Sequence, residues 1–256
     1  MQAQELNAAL RPRLRGALIA TDFDGTLAPL VPNPADSRPA PGAVDALVAL
    51  AGRGTQIAVI TGRDARTVVG LGGLEAIPGI VVAGLYGIET WTAGELSTPD
   101  PPAAVQVLRE RLPAALRDGD PQLWIEDKRL SLVVHARRAA DPSAALAGVA
   151  DAVTALGTEL GFEVHPGSNV LELRLPGFDK AGALARLAQG HDTVVYLGDD
   201  LGDLPAFAEV RRLREAGAAA WSVGVLSSEV AGVADAADVV VADPTAVVEL
   251  LGELAG

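Results

Sequence analysis

The sequence predicts an α/β fold: a Rossmann-like parallel-sheet core with a small inserted α/β cap domain. Three observations lead there. Short apolar runs rich in Val, Ile and Leu alternate with Ala- and Leu-rich stretches, the pattern of parallel strands joined by helices. Two of those runs, Ala17 to Ala20 and Val194 to Leu197, empty into clustered carboxylates, at the kind of sheet edge where open α/β folds bind ligands. The interval between Thr61 and Lys180 is far longer than a strand and its connection fill, so it holds an insertion.

Taken in order, Met1 to Arg15 reads as a polar, partly basic lead-in rather than a secretory signal. Ala17 to Ala20 is short and apolar enough for a buried parallel strand, and Asp22 and Asp24 follow it. Gly25 lets the chain turn sharply, and Thr26 can cap the next turn or offer its N–H to an anion. A helix over Gly42 to Arg53 and a strand ending at Ile60 lead to Thr61-Gly62-Arg63 and a second helix start. Ile80 to Ala83 is one further core strand, with Gly84 to Trp91 as its exit. The surplus then reads as helix Ala103 to Leu116, strands Leu123 to Asp127 and Leu130 to Arg137, helix Ser143 to Gly161, and strands Phe162 to Pro166 and Val170 to Leu175. Proline-rich Thr98-Pro99-Asp100-Pro101-Pro102 and the pair Pro176-Gly177 look like hinges. The expected boundaries are residues 1–100 and 176–256 for the core and 101–175 for the cap.

The carboxylates carry the chemistry. Asp22 and Asp24 repel each other unless a positive charge lies between them, and a divalent cation held by oxygen ligands, magnesium, is the implied partner. Many Asp-x-Asp pairs are only turn and capping residues, but three later segments complement this one. Thr61 places a hydroxyl before a glycine and a helix start, which suits a phosphate oxygen, as it would suit simple capping. Lys180 sits at the first turn of an expected helix, where a cation opposes the helix dipole unless an anion is near. Asp199, Asp200 and Asp203 form a second acidic cluster after an apolar strand.

In this order and spacing the four segments resemble the motifs of the haloacid dehalogenase superfamily of phosphotransferases: Asp-x-Asp-Gly-Thr, a Ser/Thr motif, a lysine and a Gly-Asp-Asp-x-x-Asp loop. The resemblance implies that Asp22 attacks phosphorus to give an aspartyl-phosphate, while Asp24 serves as general acid and then base. It implies that Thr61 and Lys180 bind the phosphoryl oxygens, with Gly62 and Arg63 as substrate-binding residues beside them. Asp22, the carbonyl of Asp24, Asp199 and Asp203 would hold magnesium, with Asp200 nearby. For the first step Asp24 must be protonated, so its carboxyl is expected to be raised by its neighbour and partial burial. A cap at this insertion point implies a phosphorylated small molecule and a closure that shields the intermediate from water.

Most of the chain also resembles the trehalose-6-phosphate phosphatases. The likeness runs through Asp22-Phe23-Asp24-Gly25-Thr26-Leu27-Ala28-Pro29, Ile125-Glu126-Asp127-Lys128 with His135, and Val170-Leu171-Glu172-Leu173-Arg174. It implies a phosphorylated disaccharide substrate whose distal sugar meets Glu126, Lys128 and Glu172. Other sugar phosphates, of the sucrose phosphate or mannosyl-phosphoglycerate type, are the alternative, and a receiver-like signalling module is disfavoured by Asp24 and the cap. The chain departs from that family at Ser168, Leu175, Tyr86 and Gly202-Asp203-Leu204, none of them a phosphoryl-transfer position. His135, His165 and His191 are too scattered for a metal site, and Trp91, Trp124 and Trp221 read as core.

Composition agrees. The 256 residues are 49% hydrophobic, enough for a sizeable core, and contain no cysteine for disulfides or thiolate metal sites. A net charge of −13 repels nucleic acid and anionic membrane surfaces, so a phosphorylated substrate must be drawn in locally. A cytoplasmic, monomeric enzyme is the expectation.

Overall fold

The structure is a computed structural model that describes residues 1–98, 100–167, 169–226 and 232–256. Pro99, one of the expected hinge residues, and Ser168, one of the departures, lie outside the described residues. Two compact units are present, Met1–Thr98 with Asp179–Gly256, and Pro99–Phe178.

The first unit begins with helix α1 (Ala3–Leu10). Its elements continue as β1 (Leu18–Thr21), α2 (Ala43–Gly52), β2 (Gln56–Ile60), α3 (Ala65–Gly72), β3 (Val81–Gly84), β4 (Glu89–Thr92) and β5 (Glu95–Ser97). The second unit holds α4 (Ala103–Ala115), β6 (Trp124–Asp127), β7 (Ser131–His135), α5 (Pro142–Leu160), β8 (Glu163–Gly167) and β9 (Val170–Arg174). The chain then returns to the first unit with α6 (Lys180–Leu187), β10 (Thr193–Gly198), α7 (Leu204–Glu215), β11 (Ala219–Val225), α8 (Gly232–Ala236), β12 (Val239–Val241) and α9 (Pro244–Ala255).

Eight strands of the first unit form one sheet in the order β12-β11-β10-β1-β2-β3-β4-β5. The six from β12 to β3 are parallel, and β4 and β5 add an antiparallel edge. β1 lies between β10 and β2, with Ala20 opposite Tyr196 on one side and Ala58 on the other. Because successive strand residues face opposite ways, Ile19, Val59, Val82 and Val195 join one apolar cluster, while Leu18, Ala20, Ala58, Ile60 and Tyr196 join a second. Both faces of the parallel strands are therefore covered, which explains their nearly continuous apolar sequence.

Two expectations need correction. The polar lead-in contains an amphipathic helix whose Leu6 and Leu10 are buried in the first cluster, where Leu14, beyond the helix, joins them. The segment after β3 is also more than an exit, since it forms the β4–β5 hairpin, turned at Ala93 and Gly94 with φ of 51° and 86°.

In the second unit the strands are all antiparallel, ordered β6-β7-β9-β8. One face of this sheet carries Leu132, Val134, Leu171 and Leu173, and α5 packs against it so closely that a methyl on Gly157 would lie 2.9 Å from Val164. The other face carries Trp124, Glu126, His135 and Glu172. Among the described residues no helix is long and apolar enough to cross a membrane.

Candidate active site

β1 delivers the first acidic pair. The N–H of Asp22 donates to the Leu197 carbonyl at 2.9 Å, so Asp22 stays fixed to the sheet just beyond the strand. Phe23 is fully buried and anchors the loop between the two carboxylates. Gly25 is required twice over. Its φ is +80°, and a Cβ there would lie 2.0 Å from Asp199 Oδ2. Asp199 in turn accepts from the Thr26 hydroxyl at 2.9 Å.

β10 delivers the second cluster, which folds back upon itself. Asp203 Oδ2 accepts from the N–H groups of Asp199 and Asp200 at 2.9 and 3.1 Å. Its Oδ1 accepts from Lys180 Nζ at 2.6 Å and from the Tyr196 hydroxyl at 2.5 Å. Lys180 opens α6, whose N-terminus is capped by Asp179, and the anions that its position called for are present. Its ammonium, 3% exposed, lies 2.9 Å from Asp22 Oδ2 and 3.7 Å from Asp200 Oδ1. Burial works against a charged lysine, but Asp22, Asp203 and Asp200 outweigh it and hold Lys180 above its ordinary pKa. Burial also pushes the Asp22 carboxyl well up, with Lys180 pulling the other way, and raises Asp199 to about 7 against the Thr26 hydrogen bond.

β2 and β3 supply the remaining wall. Thr61 is buried, and its hydroxyl oxygen accepts from the Arg63 N–H at 3.1 Å. Arg63 reaches back to Asp24: Nε is 2.5 Å from Oδ2 and Nη2 is 2.6 Å from Oδ1, while Ser37 donates to Oδ1 at 2.9 Å. Both oxygens of the expected acid/base therefore accept hydrogen bonds. Leu85 and Tyr86, after β3, both hold left-handed backbone, a strain of roughly 1–3 kcal/mol each.

Asp22, Asp24, Thr61, Gly62, Arg63, Lys180, Asp199 and Asp200 line one cavity of about 240 Å³, with Leu30, Tyr86 and Gly202. Asp203 is fully buried and does not line it. Glu126, Lys128 and Glu172 belong to the second unit. There Glu126 and Glu172 flank Val133 on one sheet face, and Glu172 accepts from Ser131 at 3.0 Å with Lys128 Nζ at 3.9 Å. His135 bonds Glu126 at 2.7 Å and stacks on Trp124 at 4.0 Å, so this half-buried tryptophan is not a core residue as its sequence suggested. Sequence reasoning passed over Tyr196 and Ser37. A lone phenol in a buried aliphatic strand could have signalled a polar partner, whereas nothing near Ser37 distinguishes it.

The acidic groups fit a hard cation by their chemistry: Asp22, Asp200 and Asp203 offer oxygens within 4.8 Å of one another, a cluster that could hold a metal ion. The Lys180 ammonium already lies among those three, however, and all the acceptor positions of Asp203 take protein donors. Asp203 is thereby built to hold Lys180. Asp22, Asp199 and Asp200 face the cavity.

A buried strand-end aspartate thus lies against a lysine with a second acidic loop beside it, on a fold shared with a solved haloacid dehalogenase-like hydrolase from Bacteroides thetaiotaomicron, which matches at a TM-score of 0.62 and 18% identity over 92% of this chain and 98% of that one. The trehalose-phosphatase family model matches residues 20–244, and the chain belongs to that family. A trehalose-phosphate phosphatase of Mycobacterium avium (strain 104) is 39% identical over 206 residues, covering 74% of this chain and 50% of that protein. The chain thus spans about half the length of the first curated relatives it matches. The Aspergillus fumigatus trehalose-6-phosphate phosphatase shares the fold, with a TM-score of 0.79 and 24% identity over 97% of each chain.

Proposed function

We propose that this chain is a magnesium-dependent phosphatase that hydrolyses trehalose 6-phosphate to trehalose and phosphate through an aspartyl-phosphate on Asp22. The observation that carries the reading is the Lys180 ammonium, 2.9 Å from Asp22 Oδ2 in a cavity that Thr61 also lines. A carboxylate and a phosphate repel, and a buried cation beside the nucleophile offsets that repulsion where the phosphoryl oxygens would gather charge. Asp22 attacks phosphorus, the sugar oxygen leaves with a proton from Asp24, and Asp24 then takes a proton from the water that cleaves the acyl-phosphate. Thr61 and the Gly62 N–H bind phosphoryl oxygens. Asp22, Asp199, Asp200 and the Asp24 carbonyl would hold magnesium, which when bound neutralises phosphoryl charge.

Family membership favours trehalose 6-phosphate as the substrate. In the second unit, the Glu126, Lys128 and Glu172 side chains supply polar groups suited to sugar hydroxyls. The test is phosphate release from a panel of sugar phosphates, with and without magnesium. Trehalose 6-phosphate should be the best substrate and chelation should abolish turnover; a better rate on sucrose phosphate would reassign the substrate. Alanine at Glu126, Lys128 or Glu172 should lower kcat/KM for trehalose 6-phosphate, relative to p-nitrophenyl phosphate, by the equivalent of about 1–3 kcal/mol. An unchanged ratio in all three would remove these residues from the substrate site.

A further inference from the structure

We propose that Tyr86 is a specificity-determining residue whose phenol hydroxyl hydrogen-bonds the sugar that carries the phosphate; the inference rests on the phosphatase reading above. Tyr86 stands in the cavity wall beside Gly62 and Arg63. A methyl placed on Gly62 would lie 2.8 Å from the Tyr86 hydroxyl oxygen and 2.9 Å from the ring carbon that bears it, so the phenol end of the ring covers that glycine.

The backbone beneath the ring is held in an unusual way. Leu85 and Tyr86 are successive residues with side chains, yet both are left-handed, at φ of 49° and 59°. Two hydrogen bonds keep them there: the Leu85 N–H donates to the Arg63 carbonyl at 2.8 Å, and the Tyr86 N–H to the Thr61 carbonyl at 2.9 Å. Strain of this kind persists where the surrounding structure must aim a group, and a ring that merely filled space could come from relaxed backbone. Here the ring is lashed to the Thr61–Arg63 segment, the one assigned to the phosphoryl oxygens. Its hydroxyl is therefore fixed relative to the phosphate, and the first atoms beyond an ester phosphate belong to the alcohol.

The composition of the wall indicates what that alcohol meets. Asp22, Thr61, Lys180 and Asp199 suit a phosphate and a cation, and Leu30 offers carbon alone. Tyr86 combines a ring face with a hydroxyl, the amphipathic surface that the C–H and O–H groups of a sugar ring require.

Tyr86→Phe tests this, since it keeps the ring and the backbone while removing the hydroxyl. The quantity to measure is the ratio of kcat/KM for trehalose 6-phosphate to kcat/KM for p-nitrophenyl phosphate, in parent and variant, with melting temperature as a check on folding. The ratio should fall about tenfold. Glucose 6-phosphate, measured the same way, should show the same fall, because the contacted ring is the one bearing the phosphate. An equal ratio in parent and variant overturns the inference whatever the absolute rates, and so does a fall confined to trehalose 6-phosphate, which would put the contact on the other ring. A parent that releases phosphate from neither sugar phosphate would instead overturn the phosphatase reading, and this inference with it.

Discussion

The Lys180 ammonium answers three carboxylates, and its contact with Asp203 is completed by the Tyr196 hydroxyl. Tyr196→Phe leaves one acceptor position of a fully buried carboxylate without a donor. It should cost about 1–3 kcal/mol in urea unfolding and lower turnover as Lys180 loosens. Parent-like stability would show that the hydroxyl adds nothing to the network. Asp22→Asn keeps the shape of the proposed nucleophile and removes its reactivity, so phosphate release should fall to background while the melting curve survives; substantial activity in the purified variant would exclude an aspartyl-phosphate. The position of Asp22 was legible because an apolar strand precedes it. The clasp of Arg63 on Asp24 was not, since the partners are 39 positions apart and nothing in either motif announces the other.

Among the elements, those with the clearest periodicity were read most closely. The α2 helix and the β7 and β9 strands lie within a residue or two of their expected bounds, and β2 ends at Ile60 as expected, because α2 repeats its apolar residues at helical spacing and the strands are continuous or alternating apolar runs. The β4–β5 edge was missed for a physical reason. Its buried Glu89 breaks the apolar alternation, yet accepts from the Ala65 N–H at the start of α3, a partner far off in sequence. The loop after β1 yields a sharper prediction. Gly25→Ala combines a left-handed penalty of roughly 1–2 kcal/mol with a Cβ 2.0 Å from Asp199 Oδ2. Asp199 must move, so the magnesium concentration giving half-maximal activity should rise. A variant with the parent's magnesium response would show that Asp199 is not a ligand.

For the molecule as a whole, the site ties stability to pH. Asp199 is raised from the ordinary carboxylate range to about 7 by burial, and burial also raises Asp22 and Asp200. Between the unfolded and folded values the native protein binds protons that the unfolded chain has released, so stability falls as pH rises through that window. Metal-free protein should therefore melt at a lower temperature at pH 8 than at pH 5.5. If the proposed magnesium site uses these carboxylates, the ion would compete with those protons for the same oxygens, so the melting temperature it adds should grow over the same range. Thermal melts at both values, with and without magnesium, check both signs; a magnesium increment that shrinks with pH would mean that these carboxylates do not share the cation.

The contact between the Thr26 hydroxyl and Asp199 joins residues 173 positions apart. β1 cannot complete its pairing until β10 arrives, after the entire second unit has been synthesised. A ribosome-bound fragment that ends before Lys180 would hold Asp22 but neither its ammonium partner nor the acidic loop. Closing so long a loop is a slow step in folding. In refolding, helical signal should recover first and phosphate release last, which makes enzymatic activity a chemical clock for closure of the central sheet.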